Sequence, residues 1–361
     1  MWFTYVAIAI ALFFAMNIGA SGAAASMGVA YGSGAIKRKR IALLLVAVGV
    51  FLGAYFGGGE VVKTVGSGIV PSTLLTVELV IIILLSATVT LFCSNLMGIP
   101  LSTSEVTIGS VVGVGVAYKS LYVGHILVIV SFWVIIPAIA FVLAWLAGRF
   151  ITNLERRDAR WRGESGEWKR WLTLLVIAAG FLEAFSAGMN NVANAVGPLV
   201  GAGLMSTSNG VLWGGLFVSL GAIFLGGKVL ETNGKKITNM SLLQGTTISG
   251  IGGLLVIIAS IFGIPVPLTQ VTTTAILAIG TAEHGFKLWQ KGIIGKILKV
   301  WLVSPLLALV VSYTLVKVII EPDVYVLLVL AALLVATLGL RSLYLTIQEE
   351  KRSINEDGGG I

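Results

Sequence analysis

The sequence has 361 residues, of which 57% are hydrophobic and only 11% are charged. Water-soluble proteins carry about 25% charged residues, so this composition excludes an ordinary soluble protein and predicts an all-α integral membrane protein. The net charge of +8 does not indicate a nucleic-acid partner, because the lysines and arginines cluster at the ends of apolar segments, where they mark the cytoplasmic side of a membrane.

Long apolar segments recur along the chain. A helix needs about 20 apolar residues to cross a bilayer. Segments that approach that length are, in chain order, residues 41–57, 74–91, 126–148, 211–227, 243–262, 297–316 and 324–340, and shorter apolar segments lie at 1–14 and 171–182. The segment at 1–14 lacks the basic start and the cleavage site of a signal peptide, so we expect it to remain in the membrane. The chain is therefore predicted to be a multi-pass protein of the cytoplasmic membrane, embedded in the lipid bilayer.

Short sequence blocks occur twice, in the same order. Residues 19–35 match 188–203, residues 58–69 match 226–237, and residues 98–107 match 263–272. Because the matching blocks are separated by nearly constant distances, the chain is predicted to contain two homologous halves. The predicted parts are a first repeat at 1–148, a hinge loop at 149–170, a second repeat at 171–320, an extra membrane helix at 321–342 and a tail at 343–361.

Charge gives the relative orientation of the two halves. Residues 37–40 are all basic, whereas their equivalents at 206–209 carry no charge. Conversely, lysines follow the last block of the second half, at 287, 291, 296 and 299, and the stretch after Ser120 is nearly neutral. Basic loops stay in the cytoplasm, so equivalent loops are expected on opposite sides. This pattern predicts an inverted-topology repeat with broken or re-entrant helices around a midplane site, an extracytoplasmic N-terminus, and a cytoplasmic hinge and tail.

The middle block carries a pair of opposite charges in each half. Glu60 and Lys63 occupy the positions of Lys228 and Glu231, so the signs are exchanged between the copies. Residues three apart share a helix face and can form an ion pair. Local salt bridges are the plainer interpretation; the alternatives are that the pairs connect the two halves or bind a coupling cation.

The third block places hydroxyl groups after a proline in both halves. Ser102, Thr103 and Ser104 follow Pro100, and the equivalent break at 263–267 leads to Thr269, Gln270 and Thr272. Proline interrupts a helix, so these side chains are expected at the starts of short helices that point into the membrane. Helix N-termini with exposed N–H groups attract anions. N-capping is the alternative role, and both roles are compatible.

A cluster of carboxamides follows the apolar segment at 171–182. It consists of Asn190, Asn191 and Asn194. Polar groups at membrane depth are costly without a partner, so such a cluster predicts a functional site. Gly188 and Pro198 flank the cluster and are predicted break points of the helix. The alternative is that these residues only join helices through polar contacts.

The repeated blocks together resemble the inorganic phosphate transporter (PiT) family, whose halves each carry a GANDVANA-type signature. The second copy here reads GMNNVANA from Gly188, with Met189 and Asn191 in place of the family's Ala and Asp. The first copy, GASGAAAS from Gly19, has lost both Asn residues and the Asp. The family's PVSTTH element occurs twice, with its His replaced by Glu105 and Gln270.

These departures are similar to those of the family's sulfate-permease branch. The resemblance implies uptake of a tetrahedral oxyanion driven by a cation gradient, and a homodimer. It also places an acidic residue of the second middle block near the ion site, which makes Glu231 a candidate for coupling.

Further candidates for ion coupling are Glu105, Glu183 and Asn191. Glu105 lies in a predicted re-entrant segment, and a carboxyl group removed from water can bind and release a proton near neutral pH. The absence of the signature Asp residues removes hard oxygen ligands that sodium would favour. Proton coupling is therefore favoured over sodium coupling.

The predicted function is sulfate–proton symport. Sodium-coupled phosphate symport is the alternative, and an uncoupled oxyanion channel is a third hypothesis. The sequence has no nucleophile elbow and no nucleotide-binding loop, so no enzyme is predicted. His125 and His284 have no second ligand nearby in the sequence, so neither a metal site nor a cofactor is predicted.

Overall fold

The computed structural model describes residues 2–96, 101–162, 166–237, 240–285, 293–326, 328–329 and 332. Within them, all regular secondary structure is helical. The helices are α1 Trp2–Ile18, α2 Gly28–Gly32, α3 Lys39–Gly57, α4 Gly59–Ser67, α5 Val77–Leu96, α6 Thr103–Ala117, α7 Val123–Arg157, α8 Gly166–Gly201, α9 Thr207–Leu225, α10 Gly227–Ile237, α11 Leu242–Ile261, α12 Leu268–His284 and α13 Ile293–Leu315. The all-α prediction is confirmed.

The chain divides into two compact units, Met1–Tyr313 and Thr314–Ile361. In the described part of the second unit, a π-helical turn spans Val316–Ile320 and Lys317 Nζ lies 2.8 Å from Glu321 Oε2. The predicted extra membrane helix lies mostly outside the described residues. The predicted tail, Lys287 and Lys291 lie wholly outside them.

Eight helical segments of the described chain are long and apolar enough to cross a bilayer. They are Trp2–Ala23, Lys39–Gly57, Val77–Ser94, Val123–Arg157, Gly166–Gly201, Thr207–Leu225, Leu242–Ile261 and Trp301–Ile320. Helix α7 has 35 residues and is therefore about 50 Å long, well beyond the hydrocarbon thickness of about 30 Å. Its basic end and the start of α8 both fall within 149–170, so the segment predicted as a hinge loop is helical at both ends.

Helix α8 is the central element of the first unit and packs against α3, α4 and α11. The predicted breaks at Gly188 and Pro198 are wrong, because α8 continues through both. Gly188 serves close packing instead: a Cβ atom there would lie 2.0 Å from the carbonyl oxygen of Val50 on α3. Pro198 removes one hydrogen bond near the end of a helix that stops at Gly201, so the helix tolerates it.

The break occurs in the first half, at the equivalent position. There α1 passes into a π-helical turn, Gly19–Ala23, and helix resumes in α2 only at Gly28. Helices α6 and α12 are interrupted on their N-terminal side: α6 begins at Thr103 and α12 at Leu268, directly after Pro267. With 15 residues, α6 is about 22 Å long, too short to cross the membrane.

The helices of the two halves follow the same order, from α3 to α7 and from α9 to α13. The equivalent helices α3 and α9 pack antiparallel. Ser219 Oγ donates to the carbonyl oxygen of Ala47 at 2.8 Å, whereas Gly215, one turn earlier in α9, lies against Ala54, two turns later in α3. An inverted repeat requires this antiparallel relation; the inversion of the complete halves stays a prediction.

Single cysteines at Lys39 and Ser208 should react with membrane-impermeant reagents from opposite sides. These residues lie at the N-terminal ends of α3 and α9, which run in opposite directions. Because Cys93 is the single native cysteine, a Cys93→Ser background makes the labelling specific. Reaction of both positions from one side would contradict the inverted repeat.

Candidate functional site

Asn190 ties α8 to both interrupted segments. Its Oδ1 accepts hydrogen bonds from Ser104 Oγ and from the backbone N–H of Val266, each at 3.3 Å. Its Nδ2 donates to Ser260 Oγ at 3.1 Å and to the carbonyl oxygen of Ile264 at 3.2 Å. Asn190 is fully buried, so one carboxamide fixes the start of α6 and the turn before α12 against the middle of α8.

Asn194 and Asn191 contact the same hydroxyl groups. Asn194 Nδ2 donates to Thr103 Oγ1 at 3.3 Å and to Ser104 Oγ at 3.2 Å. Thr103 Oγ1 donates to Asn191 Oδ1 at 3.2 Å. The Oδ1 atom of Asn194 is buried without a hydrogen-bond partner. The side chains of Asn190 and Asn194 and the hydroxyls of Thr103 and Ser104, all predicted to bind the anion, thus form one buried cluster together with Asn191. We call these five residues the amide–hydroxyl cluster.

The start of α6 explains why its hydroxyls face α8. Ser102 has extended backbone torsions and caps the helix, with its Oγ accepting from the N–H of Glu105 at 3.5 Å. Ser102 therefore acts as the N-cap of α6, a role that leaves its hydroxyl proton able to donate. Thr103 and Ser104 follow as the first helical residues, and Ser104 Oγ also lies 3.2 Å from the carbonyl oxygen of Val266.

Glu105 and Gln270 meet each other across the two halves. The Nε2 atom of Gln270 donates to Glu105 Oε1, and both side chains are buried. Glu105 Oε2 has no hydrogen-bond partner. These two residues occupy matching positions of the third block, so the point where the copies meet carries one titratable carboxyl group and one neutral carboxamide.

Glu183 and Thr272 form a separate polar pair. Thr272 Oγ1 donates to Glu183 Oε1 at 2.7 Å, and Glu183 is buried. Thr272 was predicted to face the anion together with the asparagines, and the structure instead directs its hydroxyl to this carboxylate. Thr269 lies in the first turn of α12, where its carbonyl oxygen accepts from Thr273 Oγ1 at 2.6 Å.

The charged pairs of the middle blocks differ between the halves. Lys63 Nζ lies 2.6 Å from Glu60 Oε1 on the exposed surface of α4. Glu231 was predicted to pair with Lys228, but its carboxylate lies 2.7 Å from Lys39 Nζ at the start of α3. A Cβ atom at Gly227 would lie 2.7 Å from that ammonium group, so the glycine leaves room for Lys39. This contact joins the two halves.

A double-mutant cycle on Lys39 and Glu231 should give a small coupling free energy. Both side chains are more than one third exposed, and water screens such pairs, which typically contribute about 0.2–1 kcal/mol. Thermal unfolding of Lys39→Met, Glu231→Gln and the double variant in detergent measures it. A coupling of several kcal/mol would indicate that the pair is shielded from water in the folded protein.

Sequence reasoning missed the contacts made by backbone groups and by Trp133. Its Nε1 donates to the carbonyl oxygen of Pro265 at 3.0 Å, which holds the turn before α12 in place. The two histidines have unrelated contacts: His125 Nδ1 lies 3.0 Å from the carbonyl oxygen of Gly68, and His284 lies beside Glu283. Among the described residues no group of three or more His, Cys, Asp and Glu side chains is placed to hold a metal ion.

Chemically, the amide–hydroxyl cluster offers hydrogen-bond donors without a carboxylate among its members. Serine, threonine and asparagine side chains donate through O–H and N–H groups, and these are the groups that bind oxyanions. Two carboxyl groups lie in the same buried region, Glu105 next to Ser104 in the sequence and Glu183 two turns before Asn190. The site therefore combines donors for an anion with groups that bind cations or protons.

Comparison with known proteins shows the family to which the chain belongs. The sulfate permease CysP of Bacillus subtilis is 54% identical over 355 residues, covering 98% of this chain and 99% of that protein. A solved structure titled the sodium-dependent phosphate transporter superposes with a TM-score of 0.76 at 23% identity, covering 89% of this chain and 100% of that one. The model of the phosphate transporter family matches residues 18–312. The chain is a multi-pass membrane protein that belongs to the phosphate transporter family.

Proposed function

We propose that the protein is a secondary active transporter that imports an inorganic tetrahedral oxyanion, sulfate, by proton symport across the cell membrane. The observation that carries the proposal is the amide–hydroxyl cluster, in which the start of α6 meets the carboxamides of α8 at a fully buried position. The relatives are transporters and permeases, which are not enzymes.

The hydrogen bonds of the cluster favour an anion that only accepts. Thr103 donates its one hydroxyl proton to Asn191 Oδ1, and Ser104 has Asn190 Oδ1 and the Val266 carbonyl as acceptors. An entering oxyanion can replace these protein acceptors while the donors stay where they are. Sulfate is fully deprotonated at neutral pH and presents four acceptor oxygens, so a site assembled from donors suits it. The sulfate permease relative supports the same substrate.

Glu105 is the group we assign to coupling. Glu105 and Glu183 are the buried carboxyl groups among the described residues. Glu105 follows Ser104 directly, and one of its oxygens has no hydrogen-bond partner. A proton on this carboxyl removes the negative charge nearest the anion, so protonation and anion binding favour each other.

Sodium-coupled phosphate transport is the second candidate, and one observation favours it. The unpartnered Oδ1 atom of Asn194 is an acceptor, and phosphate at neutral pH still carries a proton that it can donate. A buried acceptor without a hydrogen bond costs about 1–3 kcal/mol of desolvation free energy, and a donor on the bound anion would remove this cost. Sulfate can use this position only if the Asn194 carboxamide is rotated to present its Nδ2.

Competition in proteoliposomes separates the two substrates. Purified protein should take up radiolabelled sulfate, and excess unlabelled sulfate should suppress the signal while the same concentration of phosphate leaves it nearly unchanged. Liposomes without protein provide the background. Uptake of labelled phosphate that sulfate does not inhibit would replace the first candidate by the second.

A further inference from the structure

An apolar cavity of about 420 Å³ lies between α6, α7 and α13. Apart from Glu105 and Gln270, all residues that line it are aliphatic, aromatic, glycine or proline. Its volume lies within the range of about 300–1,000 Å³ that is typical of small-molecule sites. The one polar end is the contact between the two halves, where Glu105 Oε2 has no hydrogen-bond partner.

The cavity opens on the surface that faces the bilayer. Among its lining residues, Val134 on α7 is 69% exposed and Leu302 on α13 is 68% exposed. Both lie in segments that are apolar and long enough to span a membrane. The opposite wall is α6, where Ile108 is only 2% exposed. A molecule that enters between α7 and α13 therefore comes from the hydrocarbon region and reaches the face of α6 that carries Ile108.

We propose that this cavity binds the hydrocarbon chain of a bilayer lipid. Apolar cavities stay free of water and take up apolar molecules, and an empty cavity deprives the surrounding side chains of dispersion contacts. An acyl chain is apolar and can restore these contacts, and it is at hand because the opening lies among the acyl chains of the bilayer. The bound chain covers the Glu105–Gln270 contact from the bilayer side. This inference concerns the cavity alone and holds whichever ion or anion the protein carries.

A photoreactive lipid tests the proposal in the intact protein. The protein is reconstituted with phosphatidylcholine that carries a diazirine on one acyl chain, irradiated, digested and analysed by mass spectrometry. We expect lipid adducts on the part of α6 that contains Ile108 and Val112. Val112→Phe should lower the yield of these adducts by at least about tenfold, because a benzyl group fills space that the chain occupies.

Val116→Phe is the matched control, since Val116 lies on the same helix, is 40% exposed and does not line the cavity. It should leave the adducts near Ile108 unchanged. The labelling of α6 is measured first in the wild-type protein, so the test still gives an answer if a variant misfolds. Wild-type protein labelled on α7 and α13 but not on α6 between Glu105 and Val112 would overturn the proposal.

Discussion

Replacing Asn194 by leucine should abolish sulfate uptake while the protein still inserts into the membrane. Asn194 donates to both Thr103 Oγ1 and Ser104 Oγ, and leucine has about the same size but no polar atom. If a bound anion accepts two hydrogen bonds from Asn194 Nδ2 in place of these hydroxyls, the loss of about 1.5 kcal/mol for each corresponds to a loss of at least about 100-fold in anion affinity. Initial rates of uptake into proteoliposomes at low sulfate concentration measure this loss.

Asn153→Leu is the control for this substitution. Asn153 is exposed near the end of α7, so its loss should leave uptake unchanged within about twofold, as is usual for surface substitutions. Size-exclusion profiles of both variants in detergent show whether they are folded. If a well-folded Asn194→Leu protein transports like the wild type, the amide–hydroxyl cluster serves helix packing and not anion binding.

Replacing Glu105 by glutamine should separate anion exchange from accumulation. Glutamine copies the shape of the protonated carboxyl group and leaves an oxygen for Gln270 Nε2, so the contact between the halves is preserved. Sulfate should still exchange across the membrane, but an imposed proton gradient should no longer concentrate it. For the wild type, uptake should rise as the external pH falls, because protonation from the outside loads the carrier.

The exchanged pair Glu105→Gln/Gln270→Glu gives a sharper control. It restores one carboxyl group and one carboxamide at the contact, on the opposite half. Accumulation driven by a proton gradient should return at least in part if the pair is the coupling unit. The Glu183→Gln variant should still accumulate sulfate when a proton gradient is imposed. Loss of coupling in Glu183→Gln, together with wild-type behaviour of Glu105→Gln, would move the coupling role to Glu183.

The membrane helices could be predicted from sequence, because the length of an apolar segment follows from the thickness of the bilayer. The predicted segments at 41–57 and 243–262 agree with Lys39–Gly57 and Leu242–Ile261. The error in α8 has a physical cause. Gly188 and Pro198 are typical of breaks, but glycine also permits close helix packing, and only the position of Val50 on a distant helix decides between the two.

The candidate site was predictable in its residues but not in its connections. The asparagines and the hydroxyls stood out because polar groups are rare in membrane segments, and the structure brings Thr103 and Ser104 to Asn190 and Asn194. The hydrogen bonds from Ser104 to the Val266 carbonyl and from Trp133 to the Pro265 carbonyl could not be inferred, because backbone acceptors have no sequence signature. The hydrogen bond from Thr272 to Glu183 could not be inferred either, because the two residues lie 89 positions apart in the sequence.

The dependence of sulfate accumulation on the imposed cation gradient tests the central claim most directly. Proteoliposomes receive either an inward proton gradient in choline medium or an inward sodium gradient at equal pH on both sides. Proton symport predicts accumulation above equilibrium with the proton gradient, its collapse by a protonophore, and no effect of sodium. Accumulation driven by sodium alone, with no response to the proton gradient, would contradict it.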